Sequence, residues 1–463
     1  MKMDRVMLAA PKSGSGKTVV TCALLGALKN SGRQPVSFKC GPDYIDPMFH
    51  ETIIGVPSRN LDTFFTGAQK TRELFLDSAE KGDIAILEGV MGLYDGLGGI
   101  RREGSSYHLA EVTGTPIVLV ADAKGMGRSL LALLAGFLGY DRKGLIRGVI
   151  LNRISKGYYE IIRPLIEEEL GLTVLGFLPD QAELGLESRH LGLVLPGEVR
   201  RLQESLAAAS GEFAKTVSVP RIEALAATAG EVQSERSTGQ EPQPGRSSFP
   251  APVIAVARDE AFCFYYADNL RLLEEYGAEL RYFSPLHEED LPMGCGGLLL
   301  GGGYPELYAG KLSGNTRMRA AIRRAAAEGM PIVAECGGFL YLHRTLTDQE
   351  GISHEMAGVL PGACYYAGRS VRFGYIELAE QRSCFLPQGA RIRGHEFHYY
   401  ESTDNGHGAT ASKPVTGKTY PCVIANETCW MGFPHLYYPS NPSFAESFVA
   451  KAKKYMQSIG KIS

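Results

Sequence analysis

A glycine-rich segment near the N-terminus has the residue types and spacing of a loop that binds nucleotide phosphates. Between an apolar run and a helical pattern at 19–29 it contains Ser13, Gly14, Ser15, Gly16, Lys17 and Thr18. In such loops backbone N–H groups surround phosphate oxygens, and the start of the helix adds a partial positive charge. Lys17 is expected to reach the β- and γ-phosphates of ATP, and Thr18 to bind Mg²⁺. A turn that carries a lysine by chance is the alternative, but the strand–loop–helix context favours the phosphate site.

The segment departs from the usual GxxxxGK[ST] pattern at its first glycine, which is Pro11 here. Lys12 adds a second lysine, and in this respect the loop resembles those of the dethiobiotin synthetase-like and division-site ATPases. The resemblance implies that Lys12 approaches the phosphates, whereas a solvated lysine is the alternative.

Asn152 follows the apolar run at 148–151 and is expected to hydrogen-bond the purine, because its amide offers both a donor and an acceptor. A turn residue at the end of a strand is the alternative for Asn152.

Acidic side chains follow two of the predicted strands. Asp43 and Asp46 come after the second strand, and Glu88 and Asp95 come after the third. Parallel sheets bind ligands at the carboxyl ends of their strands, and Mg²⁺ prefers oxygen ligands. Asp43 and Glu88 are therefore the first candidates for the metal, and Asp46 and Asp95 for positioning the reacting carboxylate, its metal or ammonia. Aspartates that only satisfy turn backbone are the alternative.

A loop-like segment at 185–192 carries Arg189 and His190. An arginine there could pair bidentately with a polycarboxylate substrate. A solvated face is the equally acceptable interpretation.

Cys336 has surroundings unlike those of the other cysteines, which are scattered without a CxxC pair. It follows the apolar run at 331–335, and Gly337 and Gly338 come next at the start of a helical pattern. This order is typical of the sharp strand-to-helix turn that exposes a nucleophile, and the helix start is expected to lower the pKa of the thiol. A buried structural thiol is the alternative.

A cysteine nucleophile also needs an oxyanion hole and a base. The backbone N–H groups of Gly302 and Gly303, in the glycine-rich run after the preceding strand, are expected to form the oxyanion hole. His395, His398 and His435 are the candidates for the base.

The phosphate loop and the acids require a doubly wound α/β domain with a parallel sheet, predicted over residues 1–210. Near-continuous apolar runs that alternate with helical patterns indicate strands buried on both faces. They lie at 6–9, 36–39, 84–87, 117–120 and 148–151.

A second α/β domain, predicted over residues 251–463, must hold Cys336. Its predicted strands are 253–257, 297–300 and 331–335, and the helix at 316–328 is expected to end at Gly329. Between the two domains, residues 211–250 are poor in large apolar residues, and 234–248 is polar and rich in Pro, Gly and Ser. Such composition predicts a linker.

The 463 residues carry a net charge of −3, which gives no sign of a nucleic-acid partner. The apolar run at the N-terminus is too short for a signal peptide, and no apolar stretch reaches membrane-spanning length. A cytoplasmic protein with no membrane association is expected.

Motifs spread over nearly the whole chain, apart from the linker, resemble the cobyrinic acid a,c-diamide synthase family. They occupy residues 41–47, 58–62, 88–96, 257–262, 301–307, 334–338 and 393–399. The resemblance implies a P-loop NTPase domain followed by a class I glutamine amidotransferase domain. It also implies that Cys336 is the nucleophile and His435 its basic partner, although the usual His-x-His pattern is His435-Leu436-Tyr437 here.

The resemblance further implies a reaction. ATP and Mg²⁺ would activate the a and c acetate carboxylates of cobyrinic acid as acyl phosphates, and ammonia from glutamine would displace phosphate, with Asp43, Asp46, Glu88 and Asp95 functional. The expected partners are cobyrinic acid, glutamine and ATP, with a homodimer left open.

Three alternatives remain. Hydrogenobyrinic acid or Ni-sirohydrochlorin could be the substrate; the chain could be a cobyric acid synthase, which the run at 41–46 disfavours; or it could be a switch ATPase, which the Cys336 turn disfavours.

Overall fold

The computed structural model describes residues 2–179, 199–233 and 251–459, and the chain divides into two compact units, Met1–Ser237 and Thr238–Ser463. The arginine- and histidine-bearing segment at 185–192 and the polar segment at 234–248 lie outside the described residues.

The N-terminal unit contains a seven-stranded, wholly parallel sheet in the order β3-β2-β4-β1-β5-β6-β7. The strands are β1 Asp4–Ala9, β2 Pro35–Cys40, β3 Ser58–Leu61, β4 Ile84–Glu88, β5 Ile117–Asp122, β6 Ile146–Asn152 and β7 Thr173–Leu178. Most strand residues are buried, as expected when helices cover both faces. The predicted doubly wound α/β fold is confirmed, and its strand order reverses beside β1, where such sheets bind ligands.

Eight α-helices connect and cover these strands. They are α1 Lys17–Asn30, α2 Ile45–Phe49, α3 Thr63–Ala79, α4 Ser106–Thr113, α5 Ser129–Tyr140, α6 Lys156–Leu170, α7 Val199–Thr216 and α8 Val219–Ala226 within the described residues. A π-helical turn at His50–Ile54 extends α2, and a 3₁₀ turn occupies Leu97–Gly99.

The structure places residues 211–226 in helices rather than in the predicted linker. Phe213 in α7 and Ile222 in α8 are buried in the core of the N-terminal unit, and α7 packs on α1. The composition of 211–226 is poor in large apolar residues, but Ile222 and Ala226, one helical turn apart in α8, form one buried face in that core. A few apolar side chains on one face are enough to dock a helix.

The C-terminal unit contains a six-stranded sheet in the order β10-β8-β11-β13-β23-β22, parallel except for its last pair. A five-stranded antiparallel sheet has the order β21-β20-β17-β18-β24, and smaller sheets pair β12 with β9 and join β15-β14-β16-β19. The strands are β8 Val253–Ala257, β9 Phe262–Phe264, β10 Glu279–Phe283, β11 Cys295–Leu300, β12 Gly302–Gly303, β13 Ile332–Glu335, β14 Thr345–Thr347, β15 Ser353–Glu355, β16 Ala363–Tyr366, β17 Arg372–Glu380, β18 Arg391–His398, β19 Tyr400–Ser402, β20 Ala409–Ser412, β21 Thr419–Cys422, β22 Ile424–Ala425, β23 Cys429–Gly432 and β24 His435–Leu436.

Helices cover the six-stranded sheet, so the second predicted α/β domain is confirmed. They are α9 Ala267–Glu275, α10 Ala309–Gly314, α11 Thr316–Ala327, α12 Gly337–Leu342 and α13 Ser443–Ile459. Gly329 follows α11 with φ of +82°, as predicted for a helix-ending glycine. One core joins the two large sheets, because Val256 and Val333 of the first pack with Ile376 and Ile392 of the second.

No helix in the described parts of the chain combines the length and the apolar character that a membrane crossing requires.

Candidate active sites

The phosphate loop links β1 to α1 and is held in shape by its glycines and by Asn152. Gly14 and Gly16 have φ of +75° and +92°, where side chains with a β-carbon are strained. A β-carbon on Gly16 would overlap the Asn152 amide, whose Nδ2 donates to Ser15 O at 2.9 Å. Asn152 therefore fixes the loop backbone here, and its contact with a purine stays a prediction.

Lys17 projects from the first turn of α1 and is almost completely buried. Its Nζ donates to Met91 O at 2.6 Å, in the loop that follows β4, and Met91 has φ of +50°. Burial, followed by the positive charge of Lys39, lowers the pKa of Lys17 to about 8. The charges of Glu88, Asp46 and Asp95 oppose this shift only in part, so an added phosphate would further favour the charged ammonium.

Thr18, Lys39, Asp46 and Glu88 form one group, here called the acid–lysine cluster. Lys39 and Glu88 are register partners on the adjacent strands β2 and β4. Thr18 Oγ1 donates to Glu88 Oε1 at 2.7 Å, and Lys39 Nζ donates to the same oxygen at 2.8 Å. Lys39 also donates to Asp46 Oδ2, an oxygen that lies 3.5 Å from Thr18 Oγ1. The structure thus brings Thr18, Asp46 and Glu88 together, as predicted, and places a lysine between the two carboxylates.

The cluster is charged and buried, so its members shift one another's proton affinity. Burial and the charge of Asp46 raise the pKa of Glu88, against the effect of Lys39. Burial alone would lower the pKa of Lys39, but Glu88, Asp46 and Asp43 raise it well above its usual value. The lysine therefore stays protonated, as buried charges do when they are paired.

The donor set of the cluster fits Mg²⁺. Thr18 offers a hydroxyl and Asp46 and Glu88 offer carboxylates, and Glu88 Oε2 is buried without a hydrogen-bond partner, 3.6 Å from His50 Nε2. Within residues 2–179, 199–233 and 251–459, no three His, Cys, Asp or Glu side chains converge on a metal position. Phosphate oxygens and water would have to complete the shell, as they usually do around Mg²⁺.

Asp43 and Asp95 are bound to loop backbone. Asp43 Oδ1 accepts the N–H of Ile45 at 2.8 Å, and Asp95 Oδ2 accepts the N–H of Gly92 at 2.9 Å. Asp43 also lies 3.7 Å from Lys39 Nζ. Both acids support the loops around the cluster, and their contact with metal or substrate stays a prediction.

Sequence reasoning missed three partners of this site. Lys39 was predicted only as part of a strand. A lysine in a strand that is buried on both faces needs a counter-charge, and this requirement could have indicated that acidic side chains lie beside it.

Asp122 and Arg153 form an ion pair at the ends of β5 and β6, with Arg153 Nε 2.9 Å from Asp122 Oδ1. Burial raises the pKa of Asp122, but the hydrogen bond from Arg153 and the charges of Arg153 and Lys12 outweigh it and lower that pKa overall. The charge of the exposed Lys12 is therefore close enough to Asp122 to affect its pKa.

Cys336 occupies the predicted turn between β13 and α12. Its φ of +46° is rare for a residue with a side chain, and its N–H donates to Gly432 O at 2.8 Å. A β-carbon on Gly338 would overlap Leu300 O, so only glycine permits this approach of α12 to β11. Strain of this kind is typical of functional turns.

The glycine-rich segment at 301–303 and His435, the candidates for the oxyanion hole and the base, lie beside this turn. A β-carbon on Gly337 would come within 3.0 Å of Gly303 N, and one on Gly302 would overlap His435 Cε1. β13 is parallel to β23, and His435 begins the next strand, β24. The structure therefore brings the Cys336 turn, Gly302, Gly303 and His435 together.

His395 and His398, the other candidates for the base, pack around His435 in different ways. The His395 ring stacks on His435 with centroids 4.9 Å apart, and its Nδ1 lies 3.1 Å from the Tyr266 hydroxyl. His398 stacks on Phe433 and has its Nδ1 2.6 Å from Tyr400 O. Burial lowers the pKa of His435 to about 3 and that of His398 to about 4.

The thiol of Cys336 is not activated in the resting structure, contrary to the expectation from the helix start. Burial, and after it the charge of Glu306, raises the pKa of Cys336 well above its usual value. α12 spans only Gly337–Leu342, and its partial charge does not offset the desolvation of a buried thiolate. A nucleophilic role for Cys336 would therefore require a base to take the thiol proton.

Comparisons with known proteins match the two parts of the chain to two different domain families. Residues 6–194 match the CobQ/CobB/MinD/ParA nucleotide binding domain, and residues 253–431 match the CobB/CobQ-like glutamine amidotransferase domain. Among curated proteins, the cobyrinate a,c-diamide synthase of Dehalococcoides mccartyi is 36% identical, covering 98% of this chain and 99% of its own length. Those of Caldanaerobacter subterraneus (38%, covering 93% and 94%) and Salmonella typhimurium (37%, covering 97% and 98%) are similar in the same way. The chain belongs to the cobyrinate a,c-diamide synthase family of glutamine-hydrolysing ligases.

Proposed function

We propose that this protein uses ATP and glutamine to convert the a and c acetate carboxylates of cobyrinic acid into amides. The observation that carries the proposal is the presence, in one chain, of the acid–lysine cluster beside a phosphate loop and of the Cys336 turn against His435 and Gly302. The first site suits phosphoryl transfer and the second suits release of ammonia from an amide. The names of the relatives support the substrate.

In the N-terminal unit, the loop backbone and Lys17 bind the phosphates of ATP, and the carboxylate of the substrate attacks the γ-phosphorus. The new O–P bond replaces the bond to ADP, which leaves, and the product is an acyl phosphate. Thr18, Asp46 and Glu88 would hold Mg²⁺, which neutralises phosphoryl charge when bound. Lys39 keeps the buried carboxylates paired while these charges change.

In the C-terminal unit, Cys336 Sγ attacks the carboxamide carbon of glutamine while His435 takes the thiol proton. The N–H groups of Gly302 and Gly303 stabilise the oxyanion. His435 then gives the proton to the departing nitrogen, which leaves as ammonia, and water hydrolyses the thioester to glutamate. Ammonia attacks the acyl phosphate, so that a C–N bond forms and phosphate leaves.

The test is amidation by the purified full chain, followed by mass spectrometry. Cobyrinic acid, hydrogenobyrinic acid and Ni-sirohydrochlorin are each supplied with ATP, Mg²⁺ and glutamine. Two successive carboxylate-to-amide conversions of cobyrinic acid are expected. Amidation of another tetrapyrrole with none on cobyrinic acid would reject the substrate, and no glutamine-dependent ATP turnover with any of them would reject the reaction.

Loss of ATP turnover in Lys17→Ala links that turnover to the phosphate loop. We expect a decrease of about 100- to 1000-fold, as when one preorganised donor to a developing charge is removed. Lys29→Ala is the matched control, because Lys29 lies in the last turn of the same helix and donates to Ile54 O rather than facing the loop.

A further inference from the structure

The residue two positions after His435 does not supply a carboxylate to the base. Tyr437 stands there, and its hydroxyl donates to Asp268 Oδ2 at 3.0 Å. Its ring packs edge-on against Tyr266, with centroids 5.1 Å apart. A histidine that acts as a base is normally oriented by a third group, so this structure must provide one from elsewhere.

Glu335 lies directly before the nucleophile and is turned toward the strand of the base. It is buried at the end of β13, and its Oε1 accepts the N–H of Leu436 at 3.3 Å. Its Oε2 lies 3.9 Å from His435 Nδ1. One carboxylate therefore connects the strand that carries Cys336 to the strand that carries His435.

The His435 ring has little freedom to turn away from this carboxylate. Gly302 lies so close to the ring that a β-carbon there would overlap Cε1, and His395 stacks on the ring at an interplanar angle of 15°. Because Nδ1 is the ring nitrogen near Glu335, Nε2 is the nitrogen left for the thiol proton. The distance of 3.9 Å exceeds a hydrogen bond, and such distances commonly shorten only in the reacting complex.

We propose that Glu335 is a positioning residue of the glutaminase site, which orients His435 through Nδ1 and offsets the positive charge that the ring gains from Cys336. The inference rests on the proposed function of Cys336 and His435. No atom of Glu335 contacts the reacting carbon: the proton moves from Sγ to Nε2 and then to the departing nitrogen, and Glu335 acts through the ring.

Other titratable groups surround the pair, and their charges bear on any pH dependence. Those that interact electrostatically with Glu335, His435 or Cys336 include Tyr265, Tyr438, His395, His398, Glu306, Glu396 and Cys364. Burial raises the pKa of Glu335 to about 8, against the hydrogen bond from Leu436. Removing an anion from beside a titrating group lowers the pKa of that group, so loss of the Glu335 charge should move the titration of the Cys336–His435 pair to lower pH.

The test compares Glu335→Gln with Glu335→Asp in the full chain. Glutamine at 335 keeps an acceptor for the Leu436 N–H but removes the charge, whereas aspartate keeps the charge at shorter reach. We expect Glu335→Gln to lower kcat/KM for glutamine by about 10- to 100-fold, the range seen for carboxylates that orient a histidine in metal sites. The midpoint of the ascending limb of its pH profile should fall by about one unit. Glu335→Asp should keep the wild-type midpoint and recover part of the rate.

Glu380→Gln is the matched control, because Glu380 is a buried glutamate of the same unit that accepts the backbone N–H groups of Cys384, Phe385 and Leu386. It should leave the midpoint in place. Amidation with added ammonium, measured on every variant, verifies that the rest of the chain is folded and active.

The outcomes separate this inference from the proposed function. Glutamine hydrolysis that survives Cys336→Ala would overturn the proposed function of the site. If Cys336→Ala abolishes hydrolysis but Glu335→Gln keeps the rate, or loses rate with no movement of the midpoint, the glutamate is only structural and the positioning role is rejected.

Discussion

The two candidate sites manage charge in opposite ways. The acid–lysine cluster keeps the buried Lys39 protonated, because Lys39 is bonded to the carboxylates of Asp46 and Glu88. In the cysteine site burial keeps the thiol and the histidine neutral, since it raises the pKa of Cys336 and lowers that of His435. Both sites are buried, so burial alone does not decide the protonation state.

The difference follows from what each site must bind. In the proposed reaction ATP and Mg²⁺ carry charge before any bond changes. The charged side chains of the acid–lysine cluster could then exchange their present partners for the metal and the phosphates. In the proposed reaction glutamine presents a neutral carboxamide, and charge would appear on Cys336 and His435 only as the thiol reacts. A site of that kind is kept neutral until the substrate arrives, and its donors are backbone N–H groups that need no counter-ion.

Cys336→Ala gives the largest expected effect and separates the two sites. Glutamine-dependent amidation should fall at least about 1000-fold, because the proposed reaction forms its thioester on Cys336. Amidation supported by added ammonium should persist, because the acid–lysine cluster is untouched. Mass spectrometry of the amidated product under both nitrogen sources is the measurement. Equal loss with glutamine and with ammonium would contradict the separation.

Lys39→Met tests whether the charges of the N-terminal site depend on one another. It leaves Asp46 and Glu88 buried without their cation, so the unit should lose about 3–5 kcal/mol of its free energy of unfolding. Hydrogen exchange of peptides that cover β2 and β4, which contain Lys39 and Glu88, measures this loss.

Lys70→Met is the matched control for that loss. Lys70 forms an ion pair with Glu73 at 3.1 Å, and the Lys70 side chain is 44% exposed, so its removal should cost less than about 1 kcal/mol. If both variants change protection equally, Lys39 is not a required counter-charge.

The sequence predicts most of the strands that are largely apolar, because strands buried on both faces have few polar positions. Every predicted strand of the N-terminal sheet, from the run at 6–9 to that at 148–151, lies within an observed strand. β3 was missed because Ser58–Leu61 carries Arg59 and Asn60, and β17 because its residues alternate between more and less buried. The antiparallel sheet of the C-terminal unit was therefore not predicted. β7, Thr173–Leu178, was also missed, although it is apolar and buried.

Prediction of the site residues from the sequence has a similar limit. Cys336, His435 and Thr18 stand in local patterns, and the structure brings each beside its expected neighbours. Lys39 and Glu335 have their partners across strands, Lys39 opposite Glu88 and Glu335 beside β24. That information lies in the register of the sheet, which no short motif contains.

Gly302→Ala tests whether the neutral site depends on close packing rather than on charge. A β-carbon there would overlap His435 Cε1 and displace the base, so glutamine hydrolysis should fall about 100-fold, the cost of a displacement near 1 Å. Ammonium-supported amidation should be unchanged. Gly310→Ala is the control, because Gly310 lies in α10 with no atom near the added carbon. Wild-type hydrolysis by Gly302→Ala would show that the ring does not need this contact.

His398→Phe gives the smallest expected effect. It tests how much a buried neutral histidine reduces the free energy of unfolding of the C-terminal unit at low pH. Burial lowers the pKa of His398 to about 4, so between that pH and its ordinary value near 6.5 the unfolded chain binds a proton that the folded chain does not. Stability therefore rises with pH across this window and is lost as the pH falls through it. Phenylalanine keeps the stack on Phe433 but cannot titrate, so the decrease in the free energy of unfolding from neutral pH to pH ~4.5 should be smaller by about 2 kcal/mol than in the wild type. The single tryptophan, Trp430, is buried in this unit, and its fluorescence in urea reports this unfolding. His407→Phe, at an exposed position of the same unit, is the control and should show the wild-type decrease. If His398→Phe also shows the wild-type decrease, the buried neutral state of His398 does not contribute to the loss of stability at low pH.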